Sequence, residues 1–274
     1  MISVNTNQGA MVALQTLNRT NSEMAKTQNA IATGLKVASA KDNGALFAIA
    51  NKMRSDVTAY DRVRESADRA ASILDTGIAA GESIMELLNE MKGKALAGTQ
   101  AGNSASAQAA LAADFVQLRD QITSVVANAS FDGANMIAAA PNNAVSLGDA
   151  AGGNTISIAG ISLALGSTTI SVAGTNVLTD NTTSAAALTA TNNSINALGT
   201  QLATWGAGAK RLDVHRTFVG KLQDALNNGI GAIVDADLAK ESAKLQALQV
   251  KQQLGVQALS IANSSSQTAL SLFR

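Results

Sequence analysis

Cysteine is absent from the 274 residues, and histidine, proline, tryptophan and tyrosine occur once each. Without cysteine there is no disulfide, no thiolate nucleophile and no Cys-ligated zinc, although Cys-free chains are tolerated both inside and outside the cell. A lone histidine, His215, excludes an HExxH zinc helix and any multi-histidine metal site within one chain. With Pro141 as the only proline, long helices can run nearly anywhere. Charge is scarce as well: 15% of residues, twenty basic against twenty acidic. A net charge of zero gives no field to hold a polyanion or an anionic membrane surface, so nucleic acid is not an expected partner. No apolar run reaches membrane-spanning length, so no membrane insertion is expected. The first twenty residues carry neither a basic n-region nor an apolar h-region, so a protein found outside the cell would be exported without a cleaved signal peptide.

What charge there is divides the chain. Between Ala134 and Ala209 only Asp149 and Asp180 are charged, whereas both flanks mix the two signs. The middle contains TISIAGISLALGSTTISVAGTNVL, Thr155 to Leu178, rich in β-branched residues and punctuated by glycine, which predicts two or three short strands in a hairpin-like insert. Before it, Leu46, Met53, Tyr60, Ala67, Leu74, Gly81 and Leu88 recur seven apart. A second track, Ile49, Asp56, Val63, Ala70, Gly77, Ile84 and Met91, interleaves with the first. That is the pattern of a long coiled-coil-like helix. A further helix is predicted from about Ser104 to Asn128, ending in the turn Ser130-Phe131-Asp132-Gly133. After the insert the seven-residue period returns in Leu198, Trp205, Leu212, Val219, Leu226 and Ile233. The two long helices are expected to pack antiparallel.

The ends differ from the middle. Ala10, Leu17, Met24, Ile31 and Ala38 stand seven apart, with Leu14 and Leu35 beside them. Near the C-terminus Leu238, Leu245 and Leu259 are in step, interrupted by Gln252, with Leu248, Val256 and Leu270 nearby. Each stripe is narrow, on a helix otherwise full of Asn, Gln, Ser and Thr. Such a helix is marginal alone, because nucleation costs entropy and the stripe needs a partner. The termini therefore pair with one another, with other subunits, or both.

A search for chemistry finds little. His215 reads as a solvated helix residue, and Gly206-Ala207-Gly208-Ala209-Lys210 lacks phosphate-loop spacing. Asp235 and Asp237 point apart on a helix and suit its start better than catalysis. Trp205 lies on an apolar track and reads as a core anchor. Thr175, Thr179, Thr182, Thr183 and Ser184 form a hydroxyl-dense, charge-poor cluster that is either a candidate site for O-linked sugars or an ordinary polar loop. No catalytic residues, cofactor-binding residues or metal ligands are assigned, and the chain is not expected to be an enzyme.

The termini resemble those of the bacterial flagellins. Ser3-Val4-Asn5-Thr6-Asn7 is similar to that family's opening, and Ser39-Ala40-Lys41-Asp42-Asn43-Gly44-Ala45-Leu46-Phe47-Ala48-Ile49-Ala50 to its SAxDDAAGLAIA stretch. Ser130-Phe131-Asp132-Gly133 resembles the turn after the second helix, Asp235-Ala236-Asp237 the start of the last helix, and LSIANSSSQTALSLFR, Leu259 to Arg274, the closing segment. Asn43, Leu46 and Ser266 depart from residues common in the family; none abolishes the apolar stripe.

The resemblance implies a mainly α fold, with long antiparallel coiled-coil-like helices formed by both termini and a small β-hairpin insert in the middle. It implies an inner terminal coiled-coil domain from 1–42 and 232–274, a helical rod domain from 43–138 and 186–231, and a small β-rich variable insert at 139–185. The implied function is a structural subunit that self-assembles into the helical flagellar filament for swimming motility. Leu14, Leu17, Met24, Ile31, Leu35, Leu238, Leu245, Leu248, Val256, Leu259 and Leu270 would form the self-assembly interface. Implied partners are further copies of the chain and sister flagellins, the type III export apparatus, an export chaperone, the filament cap and the hook-filament junction proteins. The location would be extracellular, in the flagellum. Two rivals remain: a hook-filament junction protein with similar termini, and a secreted helical effector or adhesin.

Overall fold

The computed structural model describes the backbone of residues 7–271 and the side chains of residues 7–264. In chain order the elements are α1 (Gln8–Thr33), α2 (Gly44–Gly98), α3 (Ala105–Asn128), β1 (Ala144–Leu147), β2 (Thr155–Ile158), α4 (Asn181–Val234) and α5 (Leu238–Ser271). The chain divides into two units, one from 1–55 with 224–274 and one from 56–223.

In the second unit the heptad tracks are buried as their period requires. Val63, Ala67, Ala70, Leu74, Ile84, Leu88 and Met91 of α2 join Leu198, Trp205, Leu212 and Val219 of α4 in the interior. Each fully buried aliphatic side chain contributes about 1.5–3 kcal/mol. Antiparallel pairing of α2 with α4 is read from Arg216, whose Nε lies 2.6 Å from Asp68 Oδ1, and from Gln223, whose Nε2 donates to Asp61 Oδ1 at 2.8 Å. These two polar residues stand seven apart on a track whose other members, Ile195, Leu202, Ala209 and Ile230, are apolar, and each meets a carboxylate.

α3 starts on Ser104, whose hydroxyl accepts from Ala107 N, and covers the core with Phe115, Leu118 and Ile122. Past its end, Asp132 and Gly133 both take positive φ, 49° and 75°, and Phe131 and Ala134 exchange backbone hydrogen bonds. The Asp-Gly pair supplies the left-handed conformations such a turn demands.

The insert differs from its expectation in detail. Of the stretch from Thr155 to Leu178 only β2 is a strand, and its antiparallel partner β1 lies upstream, with Ala144 opposite Ile158 and Leu147 opposite Thr155. The rest is irregular, with Leu163, Ile170, Val172 and Leu178 fully inside. Its backbone is satisfied without a ladder: Ile161 N donates to Met136 O and Leu163 N to Ile137 O, and Ser171 N donates to Ser194 Oγ on α4. The alternating apolar residues fill a core against helices, so period two did not require strands. Trp205 Nε1 donates to Ala159 O at 3.0 Å, tying α4 to the residue after β2.

Candidate functional site

The site predicted from the termini lies in the first unit. α1 begins at Asn7, whose Oδ1 accepts from Ala10 N, and ends at Gly34 in the left-handed conformation, φ 71°. α5 begins at Asp237, whose Oδ1 accepts from Ala239 N and Lys240 N. Between them the chain crossings are stapled: Lys36 N donates to Val234 O, Ala236 N to Gly34 O, and Lys36 Nζ to Ala232 O. α2 begins at Asn43, whose Oδ1 accepts from Leu46 N at 3.1 Å. Asparagine caps a helix as well as aspartate does, so this departure from the family motif costs the fold nothing.

α1 and α5 pack antiparallel, from one end of the pair to the other. Asn7 Nδ2 donates to Ala262 O at 2.8 Å, a Cβ on Gly255 would touch Leu17 Cδ1 at 3.3 Å, and Gln252 Nε2 donates to Asn21 Oδ1 at 2.8 Å. Carrying that register along the pair sets Leu248 against Met24 and Leu245 against Thr27. Two threonines, Thr20 and Thr27, occupy the seam itself. The Thr20 hydroxyl donates to Thr16 O, but Thr27 Oγ1, on a residue 1% exposed, has no hydrogen-bond partner among the described residues. An unpaired buried hydroxyl costs about 1–3 kcal/mol, so the seam is weaker than an all-aliphatic one.

The interface residues read from the sequence separate into two groups. Leu17, Met24, Ile31, Leu35, Leu245 and Leu259 are half-buried, and Leu248 is 3% exposed. Leu14, Leu238 and Val256 are instead exposed. Leu270 lies outside the residues whose side chains are described, as do Ser265 onward, and Ser3–Thr6 of the opening motif lie outside the described residues. Sequence reasoning missed a second stripe on α5, Val250, Leu254 and Ile261, with Leu254 57% and Ile261 69% exposed, and Met11 and Val12 on α1. Its signal was present as steps of four and seven residues, on a face the first stripe does not use.

The hydroxyl cluster also separates. Thr175, Thr179 and Thr182 are exposed. Thr183 N donates to Asp180 Oδ1 at 2.7 Å while Thr183 Oγ1 accepts from Asp180 N, a reciprocal cap at the start of α4. Those bonds, the Thr183 backbone N–H first and its hydroxyl second, hold the Asp180 carboxyl below the usual range. Ser184 is fully buried and its hydroxyl accepts from Gln108 Nε2. His215 is half-buried rather than solvated, with Nε2 enclosed and unpartnered among the described residues. No group of three or more His, Asp or Glu able to hold a metal ion occurs among the described residues, and none of their helices is long and apolar enough to cross a membrane.

Two blocks of the chain match known families: residues 4–141 match the bacterial flagellin N-terminal helical region and residues 188–273 the bacterial flagellin C-terminal helical region. The chain belongs to the bacterial flagellin family. Among its relatives are flagellin FljK of Caulobacter vibrioides, 47% identical over 99% of this chain and 98% of that one. Flagellin FljN of the same organism is 49% identical over the same shares, and a Brucella melitensis flagellin is 36% identical over the full length of both. Bacillus cereus flagellin has a similar fold, with a TM-score of 0.50 and 24% identity over 56% of this chain and 88% of that one. As a flagellin the chain is a structural subunit of the extracellular flagellar filament.

Proposed function

We propose that the α1/α5 pair is the inner layer of the filament and carries self-assembly through two distinct stripes. The observation behind this is the division of apolar residues on α5. Leu245, Leu248 and Leu259 hold α1 within one subunit, while Val250, Leu254, Val256 and Ile261 stay uncovered. Leu14, Met11 and Val12 on α1 are uncovered as well. Exposed apolar side chains recurring along paired helices suit packing against other copies, which is the contact a helical polymer repeats.

On this reading residues 1–42 with 232–274 form the inner domain, 43–138 with 186–231 the surrounding helical domain, and 139–185 an insert facing outward. The subunit leaves the cell through the flagellar export apparatus without a cleaved signal, helped by an export chaperone, and adds beneath a cap above the hook-filament junction proteins. Co-assembly with sister flagellins is supported by the two relatives that come from one organism. Thr175, Thr179 and Thr182 are the hydroxyls accessible to sugars, and intact mass tests that point.

Electron microscopy of the purified chain, seeded with ammonium sulfate, tests the reading beside a version lacking residues 1–40. Long filaments from the full chain and none from the truncation are expected. Both staying monomeric would sink it and favour the junction-protein or effector rivals.

A further inference from the structure

On α4 of the second unit, Val214 and Phe218 stand one turn apart and are 57% and 58% exposed. They share a surface depression with Lys210, Asp213, Thr217 and Lys221. The flanks of this apolar pair are net basic: Lys210, Arg211 and Lys221 stand against one carboxylate, Asp213, whose Oδ2 lies 3.7 Å from Lys210 Nζ. Elsewhere on the same unit α2 and α3 leave a shallow groove of about 440 Å³. Small side chains line it: Thr76, Ala79, Ala80, Ser83, Ser124 and Val125. Along one rim run Asp75, Glu82 and Glu86, all exposed. They lie at three- and four-residue steps from Ala79 and so share its ridge. One surface presents two exposed apolar side chains between basic flanks; the other is a groove lined by small residues and acidic at its rim.

We propose that Val214 and Phe218 of one subunit seat in the α2/α3 groove of a second copy of the chain, with Lys210 and Lys221 meeting Asp75, Glu82 and Glu86. The inference rests on the filament reading above and identifies a pair of surfaces outside the terminal helices. Because the two surfaces differ, the contact is heterologous: each pair of subunits leaves one patch and one groove unused, so growth continues instead of closing. Opposite charge at the rims fixes which patch meets which groove and disfavours patch against patch. The aromatic ring at the centre supplies the main contact, which is the still-exposed part of the roughly 150–250 Å² such a side chain can bury.

The absence of cysteine makes the test clean. Full-length subunits carrying only Phe218→Cys are mixed with subunits carrying only Ala80→Cys, polymerised on wild-type seeds, oxidised and dissolved. A covalent dimer from the mixture, and none from either variant alone, is the expected result. Filaments that form without the mixed dimer, or that give dimers from Phe218→Cys alone, overturn the contact while leaving the filament reading intact. Where either core variant does not polymerise, Lys221→Cys mixed with Glu82→Cys probes the rim under the same criteria. Separately, Lys221→Glu should slow elongation at least tenfold, and adding Glu82→Lys should restore it; wild-type growth of Lys221→Glu overturns the contact. If the wild-type chain itself forms no filaments, the filament reading fails and this inference fails with it.

Discussion

Gln252 Nε2 donates to Asn21 Oδ1 across the α1/α5 seam, at 2.8 Å and between residues 231 apart in sequence. The glutamine interrupts a leucine track, with Leu245 before it and Leu259 after it. In coiled coils one polar rung costs stability and fixes alignment, because sliding by a heptad separates its partners. Gln252→Leu is therefore expected to raise the thermal stability of the first unit and to loosen its register. Engineered cysteines report this directly. In the wild-type background Leu17→Cys should cross-link to Gly255→Cys and not to Leu248→Cys or Ala262→Cys, and with Gln252→Leu the shifted pairs should appear. A single cross-link in both backgrounds would assign register to the apolar residues instead.

The two stripes on α5 separate folding from assembly. Leu254→Asp and Ile261→Asp alter exposed positions, so monomers should keep wild-type helical circular dichroism and fail to polymerise on seeds. Leu248→Ala removes a buried side chain and should cost about 2–5 kcal/mol, seen as early melting of the monomer. Leu245→Asp places a charge in the seam and should block polymerisation too. Normal filaments from Leu254→Asp and Ile261→Asp together would refute the outer stripe.

Two glycines are expected to respond in opposite directions. A Cβ on Gly160 would lie 2.2 Å from Asn142 O and 2.8 Å from Met136 O, and both obstacles are backbone. Gly160→Ala must displace the segment after β2 and should destabilise by about 1–3 kcal/mol. Gly206, within α4, has nothing within 4 Å of its added Cβ, so Gly206→Ala should stabilise by about 0.5–1 kcal/mol. Trp205 is the only tryptophan and contacts Ala159 O, so its fluorescence in a urea titration reads both.

Acid should loosen the start of α4 and the segment before α2. Asp180 is held low by Thr183, and Asp42 by the Ser39 hydroxyl first and the Ser39 backbone N–H second. A carboxyl whose folded pKa is depressed contributes stability that is present above its ordinary value, near about 3.9, and is lost as pH falls through the lower folded value. Amide exchange near Ser184 and at Ser39, whose N–H donates to Asp42 Oδ2, should therefore stay slow through pH 4 and rise below it. Asp180→Asn should flatten that dependence near Ser184 alone. An unchanged profile in Asp180→Asn would rule out this cap as the titrating group.

The heptad tracks were legible because a period of seven constrains every turn: Leu74, Leu88, Leu198 and Leu212 are buried where the period puts them. The start of α3 was legible too, since a serine cap is local chemistry. The position of the strands was not. Residues 161–178 carry a strand-like alternation, but their backbone partners, Met136, Ile137 and Ser194, are remote in sequence. Ser184 looked like one hydroxyl among several until Gln108, seventy-six residues away, was seen to enclose it.

The sequence by itself determined that this chain makes long helices, that its ends are marginal, and that cysteine chemistry and multi-histidine metal sites are excluded. Those properties follow from composition and local periodicity. Only the tertiary structure decided which leucines are spent inside the subunit. Leu248 and Leu254 stand six residues apart on one helix, yet one faces α1 and the other is exposed. Periodicity defines a face, but its partner is set by the register of α1 against α5, which Asn7–Ala262 and Asn21–Gln252 fix from opposite ends of the chain.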